Sequence, residues 1–468
     1  LMMMISAGIP EAKHFALWSF SLSIRPEHQS IIVEAAGVAP LIQMIVSGKT
    51  QIQKEAAAAL AKLAYNNDDC IAAISKEGGV KPLIVLLDCP EKAYESDDRE
   101  MNDVRQNAAE ALANLANDPS SRDEIVSAGG IRPLVSALKA DRQQTKTFAA
   151  MALARLSKDH AATQSAIAAA GAIGALIALL DGKDGPEAQE EAAGALYALA
   201  EHELNRIAIT ESDGIGLLVM LLGCDNQRAR EHAEGALVRL SIENDNRVLI
   251  IKKLVDMLHA SHASEHASDD TSAQSEQASE QAAAALANLA RDSEDNRKSI
   301  VDANGIEPLL FLLESNSSKA KENSVSAIKE LCRGSREHQA AIARVGGIPR
   351  LVGVISSYSG AKMKESSVIQ LCTLAASAIE EMAKDNKKNQ SAITESGAVA
   401  PLVAMLGAHG PQMQANAAGA LANLARNHAE NQLAIAKAGA IVPLCSMIRD
   451  GIPEAQDQAA SAVWALAV

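Results

Sequence analysis

The chain has 468 residues, a formal net charge of −15 and only 2% aromatic side chains. That balance excludes a surface built to grip phosphate backbones, which needs clustered Lys and Arg, and it removes the stacking platforms used for single-stranded nucleic acid. With few rings available, a buried core has to come from close contacts among Ala, Leu, Ile and Val, which also favour helix.

One leucine returns in the same local setting along the whole chain, at Leu1, Leu41, Leu83, Leu134, Leu176, Leu218, Leu254, Leu309, Leu351, Leu402 and Leu444. Length alone suggests about three domains. The repeat overrides that, because five of the ten spacings are 42 residues and a fixed period of this size signals a solenoid whose units bury their apolar faces against each other.

Along the chain, the run Gly79-Val80-Lys81-Pro82-Leu83 reads as a sharp turn into a helix, with proline in the first turn where its missing amide costs nothing. Gly130-Ile131-Arg132-Pro133-Leu134 and Gly305-Ile306-Glu307-Pro308-Leu309 repeat it. Between them, Glu91 to Glu100 is a charged stretch that makes the Leu83 to Leu134 interval nine residues too long. Ala108 to Ala116 follows, with Ala and Leu recurring at three and four, the stripe of a closely packed helix. Asp181-Gly182-Lys183-Asp184-Gly185-Pro186 is a loop between helices. Near Leu254 the run Asn246 to Lys253 enters the anchor without a glycine turn, so the first and second helices are expected either to fuse or to lose the first. His259 to Glu280 is rich in Ser, Ala, His and acids and reads as an insertion loop. It separates a first half, 1–258, from a second, 281–468, within one solenoid spanning 1–468. The stripe returns in Ala282 to Ala290 and Ala417 to Ala425, and a further nine-residue excess lies around 356–364.

Thirteen residues before the anchor stand Asn205, Asn296, Asn389 and Asn431, with Ser121 and Thr163 in two other units. These residue types are expected to be N-caps of a short first helix. Cys70, His28 and His338 depart from that rule.

A short capped helix, a Gly-Gly-Ile-x-Pro-Leu turn and two longer helices resemble the armadillo repeat over essentially the whole chain. The resemblance implies an all-α, right-handed superhelical solenoid of about eleven units of about 42 residues, the first and last incomplete. The Ala-rich third helices are most similar to the vacuolar armadillo scaffold proteins and to the armadillo-only proteins of plants and protists. By the same resemblance, third helices line a concave groove that receives partner segments, with asparagines reading the partner main chain. Matching positions are Lys62, Asn114, Arg155, Ala198, Arg239, Asn288, Glu330, Glu381, Asn423 and Ala465. The Arg and Lys positions fall in the first half and Glu330 and Glu381 in the second, which suits a partner of mixed charge; Glu110 joins Lys62, Arg155 and Arg239 in choosing it. Nuclear-import receptors of this family carry tryptophan four residues earlier. Here none of those sites is tryptophan and most are small residues such as Gly194, Gly235 and Gly419, which either make a shallow floor for a partner or permit tight packing of the third helices.

No phosphate-binding loop, HExxH or GxSxG motif occurs, and a non-enzymatic adaptor is expected, with no cofactor, no nucleic acid and no direct membrane insertion. The alternatives are a structural part of a large assembly, held by end-to-end or convex-face contacts, and the substrate-recognition region of a larger ubiquitin ligase. His259, His262 and His266 are spaced to share a helix face and ligate a metal, although a solvated linker is the commoner use of such composition, and no metal is assigned. Six scattered cysteines without CxxC pairs read as reduced thiols in an intracellular, cytoplasmic protein. The chain starts and stops inside a unit, so both natural termini are expected to lie beyond it, with oligomeric state and lipidation left open.

Overall fold

A computed structural model describes residues 19, 23–34, 36–89, 98–158, 160–263, 269–357, 366–408 and 410–468. All regular structure among them is helical. The ten described anchor leucines, from Leu41 to Leu444, each have 0% exposure, so the period marks successive burials of one apolar rung.

The unit of Leu402 shows how the sequence makes three helices, Lys387–Glu395, Val399–Leu406 and Pro411–Ala425. Between the first two the chain passes through a left-handed residue five positions before the anchor, here Gly397 at φ 85°. The same place is Ala36 at φ 53° before Leu41, Gly78, Gly129, Gly171, Gly346 or Gly439 elsewhere, and Asp213 or Asn304 in two units; glycine, aspartate and asparagine tolerate this region best. At Leu254 the equivalent residue is Leu249, which does not. First and second helices are accordingly one continuous element, Asn244–Ala263.

The expected N-caps are corrected by three residues. The capping side chains are Asn67, Asp118, His160, Ser293, Ser335, Asn386 and His428, each accepting from the amide three residues on. Asn205, Asn296, Asn389 and Asn431 instead lie buried in the first turn. Their side-chain amides turn back to carbonyls ending the preceding third helix: Asn296 to Leu289 at 2.7 Å, Asn389 to Met382 at 2.9 Å, Asn431 to Leu424 at 2.9 Å and Asn205 to Leu199 at 3.1 Å. A helix end leaves its last carbonyls without intrahelical partners, and these amides supply them.

The segment 259–280, expected as a loop, is helical at 259–263 and from Asp269, where the helix Asp269–Asp292 begins. Alanine and glutamate favour helix enough to extend both neighbours into it. Its residues 264–268, and those at 90–97 and 358–365 in the two nine-residue excesses, lie outside the described residues. The chain divides into two compact units, 1–221 with 225–243, and 222–224 with 244–468. In the first, third helices Thr50–Ala64, Asp98–Leu115, Gln143–Leu156, Pro186–Leu199 and Gln227–Leu240 pack side by side in order. In the second, Asp269–Asp292, Ser318–Cys332, Ser366–Ala383, Pro411–Ala425 and Pro453–Ala467 do the same. Among the described residues no single helix is long and apolar enough to cross a membrane; three sharply bent helix pairs pass on length and composition only when two helices are joined.

Candidate partner-binding face

Small residues at the contacts let neighbouring third helices approach closely, and this decides where their polar side chains go. Asn114, 6% exposed, donates from Nδ2 to the Ala61 carbonyl at 3.0 Å. Asn423, 9% exposed, donates to the Glu380 carbonyl at 3.2 Å. Arg155 and Arg239 donate from Nη1 to Ala113 and Tyr197 carbonyls, both at 2.6 Å. Thus four residues expected to face a partner each reach the neighbouring third helix, one residue before the equivalent position. Carbonyls at four of these positions, Lys62, Glu381, Asn423 and Ala465, accept in turn from Gln29, Gln339, Gln390 and Gln432. A second row escaped the sequence reading: Asn107, Asn323 and Asn416, seven residues before the first row, donate to Lys54, Glu280 and Thr373 carbonyls at 3.0, 2.9 and 3.0 Å. Its signal was asparagine recurring at one phase of the third helix.

Of the two expectations for these glycines, a shallow floor or tight packing of the third helices, the neighbouring side chains favour the second. A Cβ at Gly235 would lie 2.8 Å from Tyr197 Cε2, one at Gly194 3.3 Å from the His232 ring, and one at Gly419 2.6 Å from Glu380 Oε1 and 2.9 Å from Gln458 Oε1. In the first unit this builds a layered group: the Arg239 guanidinium lies 3.8 Å from the centre of the Tyr197 ring, which stacks on His232 at 6.2 Å. Burial pushes the Glu191 carboxyl up to about 7, against the pull of Arg155. Burial likewise raises Glu110, with Lys62 opposing, and lowers Arg155, with Glu191 opposing.

In the second unit the third helices carry a cleft of about 590 Å³. Glu330, Glu380, Glu381 and Glu454 line it, with Lys329 and Arg333. Both cations pair with the buried Glu330, at 3.9 and 3.5 Å, so carboxylates remain in excess. Burial, reinforced by Glu381, raises Glu380 to about 7. Asn288 stands exposed on its own third helix. His259 is exposed on Asn244–Ala263, the His262 side chain and residue 266 lie outside the described residues, and among the described residues no group of three His, Cys, Asp or Glu is placed to hold a metal.

The armadillo/beta-catenin-like repeat profile matches residues 25–65, 293–333 and 386–426. An engineered protein known from its crystal structure aligns over 92% of this chain and 99% of its own, with 30% identity and a TM-score of 0.63. The chain belongs to the armadillo-repeat family. A designed armadillo repeat protein aligns over 51% of this chain and 98% of its own, at 25% identity and a TM-score of 0.46. Vacuolar protein 8 of Candida albicans is 36% identical over 113 residues, which is 24% of this chain and 19% of that relative's length.

Proposed function

We propose that this armadillo protein is a non-enzymatic scaffold that holds segments of partner proteins along its third-helix faces, and that the cleft of the second unit takes a stretch bearing Lys or Arg. The observation that carries this is the excess of carboxylates around the cleft, with Glu380, Glu381 and Glu454 set against cations already paired to Glu330. A half-buried carboxylate whose desolvation outweighs the pull of nearby cations is costly to ionise, as Glu380 is, and an incoming ammonium or guanidinium relieves that cost. Lys62, Glu110, Arg155 and Arg239 would set the charge preference of the first unit. Asn114 and Asn423 would contribute the amide N–H and oxygen not used between helices, and Asn288 its exposed amide. An intracellular, cytoplasmic site of action belongs to the same proposal, since six free thiols suit a reducing compartment.

The test is fluorescence anisotropy with labelled extended peptides of about twelve residues, matched except for basic, neutral or acidic side chains. Basic peptides should bind best, and Glu380→Gln with Glu381→Gln should weaken them roughly tenfold. Equal binding of acidic peptides, or no loss in the double variant, would overturn the proposal. A second reading, assembly through apolar surface, is favoured by Val46, Val85, Met220 and Val442 on second helices, which are 68%, 69%, 69% and 78% exposed.

A further inference from the structure

Two pairs of neighbouring third helices are tied together twice. Asn107 and Asn114, both on Asp98–Leu115, donate to Lys54 and Ala61 of Thr50–Ala64. Asn416 and Asn423, both on Pro411–Ala425, donate to Thr373 and Glu380 of Ser366–Ala383. Donors and acceptors are each seven residues apart, two helical turns, so both ties of a pair lie on one face. A backbone carbonyl has two lone pairs, so such a tie does not compete with a helical bond.

We propose that these paired asparagines are register clamps, which hold one third helix at a single axial setting against its predecessor and so fix the spacing of the groups on the partner-binding face. Many of the buried residues on these two packed helices are alanine, among them Ala415, Ala418 and Ala422 on one and Ala375, Ala376 and Ala383 on the other. Small side chains offer little resistance to sliding. A shift of one residue, about 1.5 Å along the axis, keeps most of that packing yet takes each amide away from its carbonyl. Two ties two turns apart resist tilt as well as translation. Single ties at Arg155, Arg239 and Asn323 extend the same device to other neighbours. Buried polar groups used in this way specify register more than they add stability.

In a repeat protein, stability is the sum of what each unit contributes alone and what each interface adds, and only the interface makes units unfold together. Removing clamps should therefore lower cooperativity. Urea unfolding of Asn416→Leu/Asn423→Leu is expected to lose roughly a fifth or more of its slope, with a separate early transition. Hydrogen exchange followed by mass spectrometry should place that transition in the helices from Pro411 onward. Ser335→Ala, which removes a cap inside one unit, should move the midpoint and keep the slope. If the double variant only moved the midpoint as the cap variant does, or changed neither, the clamps would be ordinary hydrogen bonds or nothing. Asn416→Ala alone, read the same way, serves if the double variant does not fold.

Discussion

Glu380 couples stability to pH in a direction fixed by its surroundings. Burial and the adjacent Glu381 hold its carboxyl at about 7, while Lys384 and Lys329 pull the other way and Glu454 adds to the rise. The folded value lies above the ordinary 4.5. Protonation therefore favours the folded state. Stability from this group is full below about pH 4.5 and is lost as pH climbs through about 7, a difference of about 1–3 kcal/mol. Glu380→Gln should remove that slope, so that its urea midpoint gains on the wild type between pH 5 and pH 8; parallel pH profiles would contradict the assignment. Asn431 works through a different chemistry. Its buried amide donates to both Leu424 and Gln390 carbonyls, so Asn431→Ala should cost about 2–3 kcal/mol in chemical denaturation, more than the roughly 1 kcal/mol of a lost cap at Ser335.

At the scale of helices, two glycines should respond in opposite directions to the same methyl group. Nothing lies within 4 Å of a Cβ at Gly174, inside the helix Ala172–Leu179, so Gly174→Ala should stabilise by about 0.5–1 kcal/mol. At Gly235 the methyl meets the Tyr197 ring, and Gly235→Ala should destabilise by about 1–3 kcal/mol, with calorimetric midpoints as the measure of both. The helices themselves were legible in the sequence because the anchor leucines, the left-handed turn residues and the Ala-Leu stripe recur in phase, and a buried rung admits little variation. The fused helix was foreshadowed by the missing glycine before Leu254. What the sequence could not separate was two uses of asparagine at a helix start. An amide at the cap and an amide three residues later look alike in one dimension, but only the second, as at Asn389, reaches the helix before it. The third-helix asparagines hid a similar ambiguity, since a residue that faces the groove in phase can equally bend to a neighbouring carbonyl, as Asn114 does.

Over the whole molecule, a net charge of −15 makes association with a basic segment sensitive to ionic strength. The affinity of a Lys- and Arg-bearing peptide should fall several-fold as salt rises from about 50 mM to about 500 mM, because the screening length shrinks from roughly 14 Å to roughly 4 Å. An affinity indifferent to salt would point instead to apolar docking, as at Val442. Both outcomes leave the location of the contact to be read directly. Amide hydrogen exchange of the full chain, with and without the tightest basic peptide, does so. New protection on Ser366–Ala383 and Pro411–Ala425, with the first helices Arg336–Arg344 and Lys387–Glu395 unchanged, is the predicted result. Protection confined to the first helices, or to second helices around Val85 and Val442, would contradict partner binding on the third-helix face.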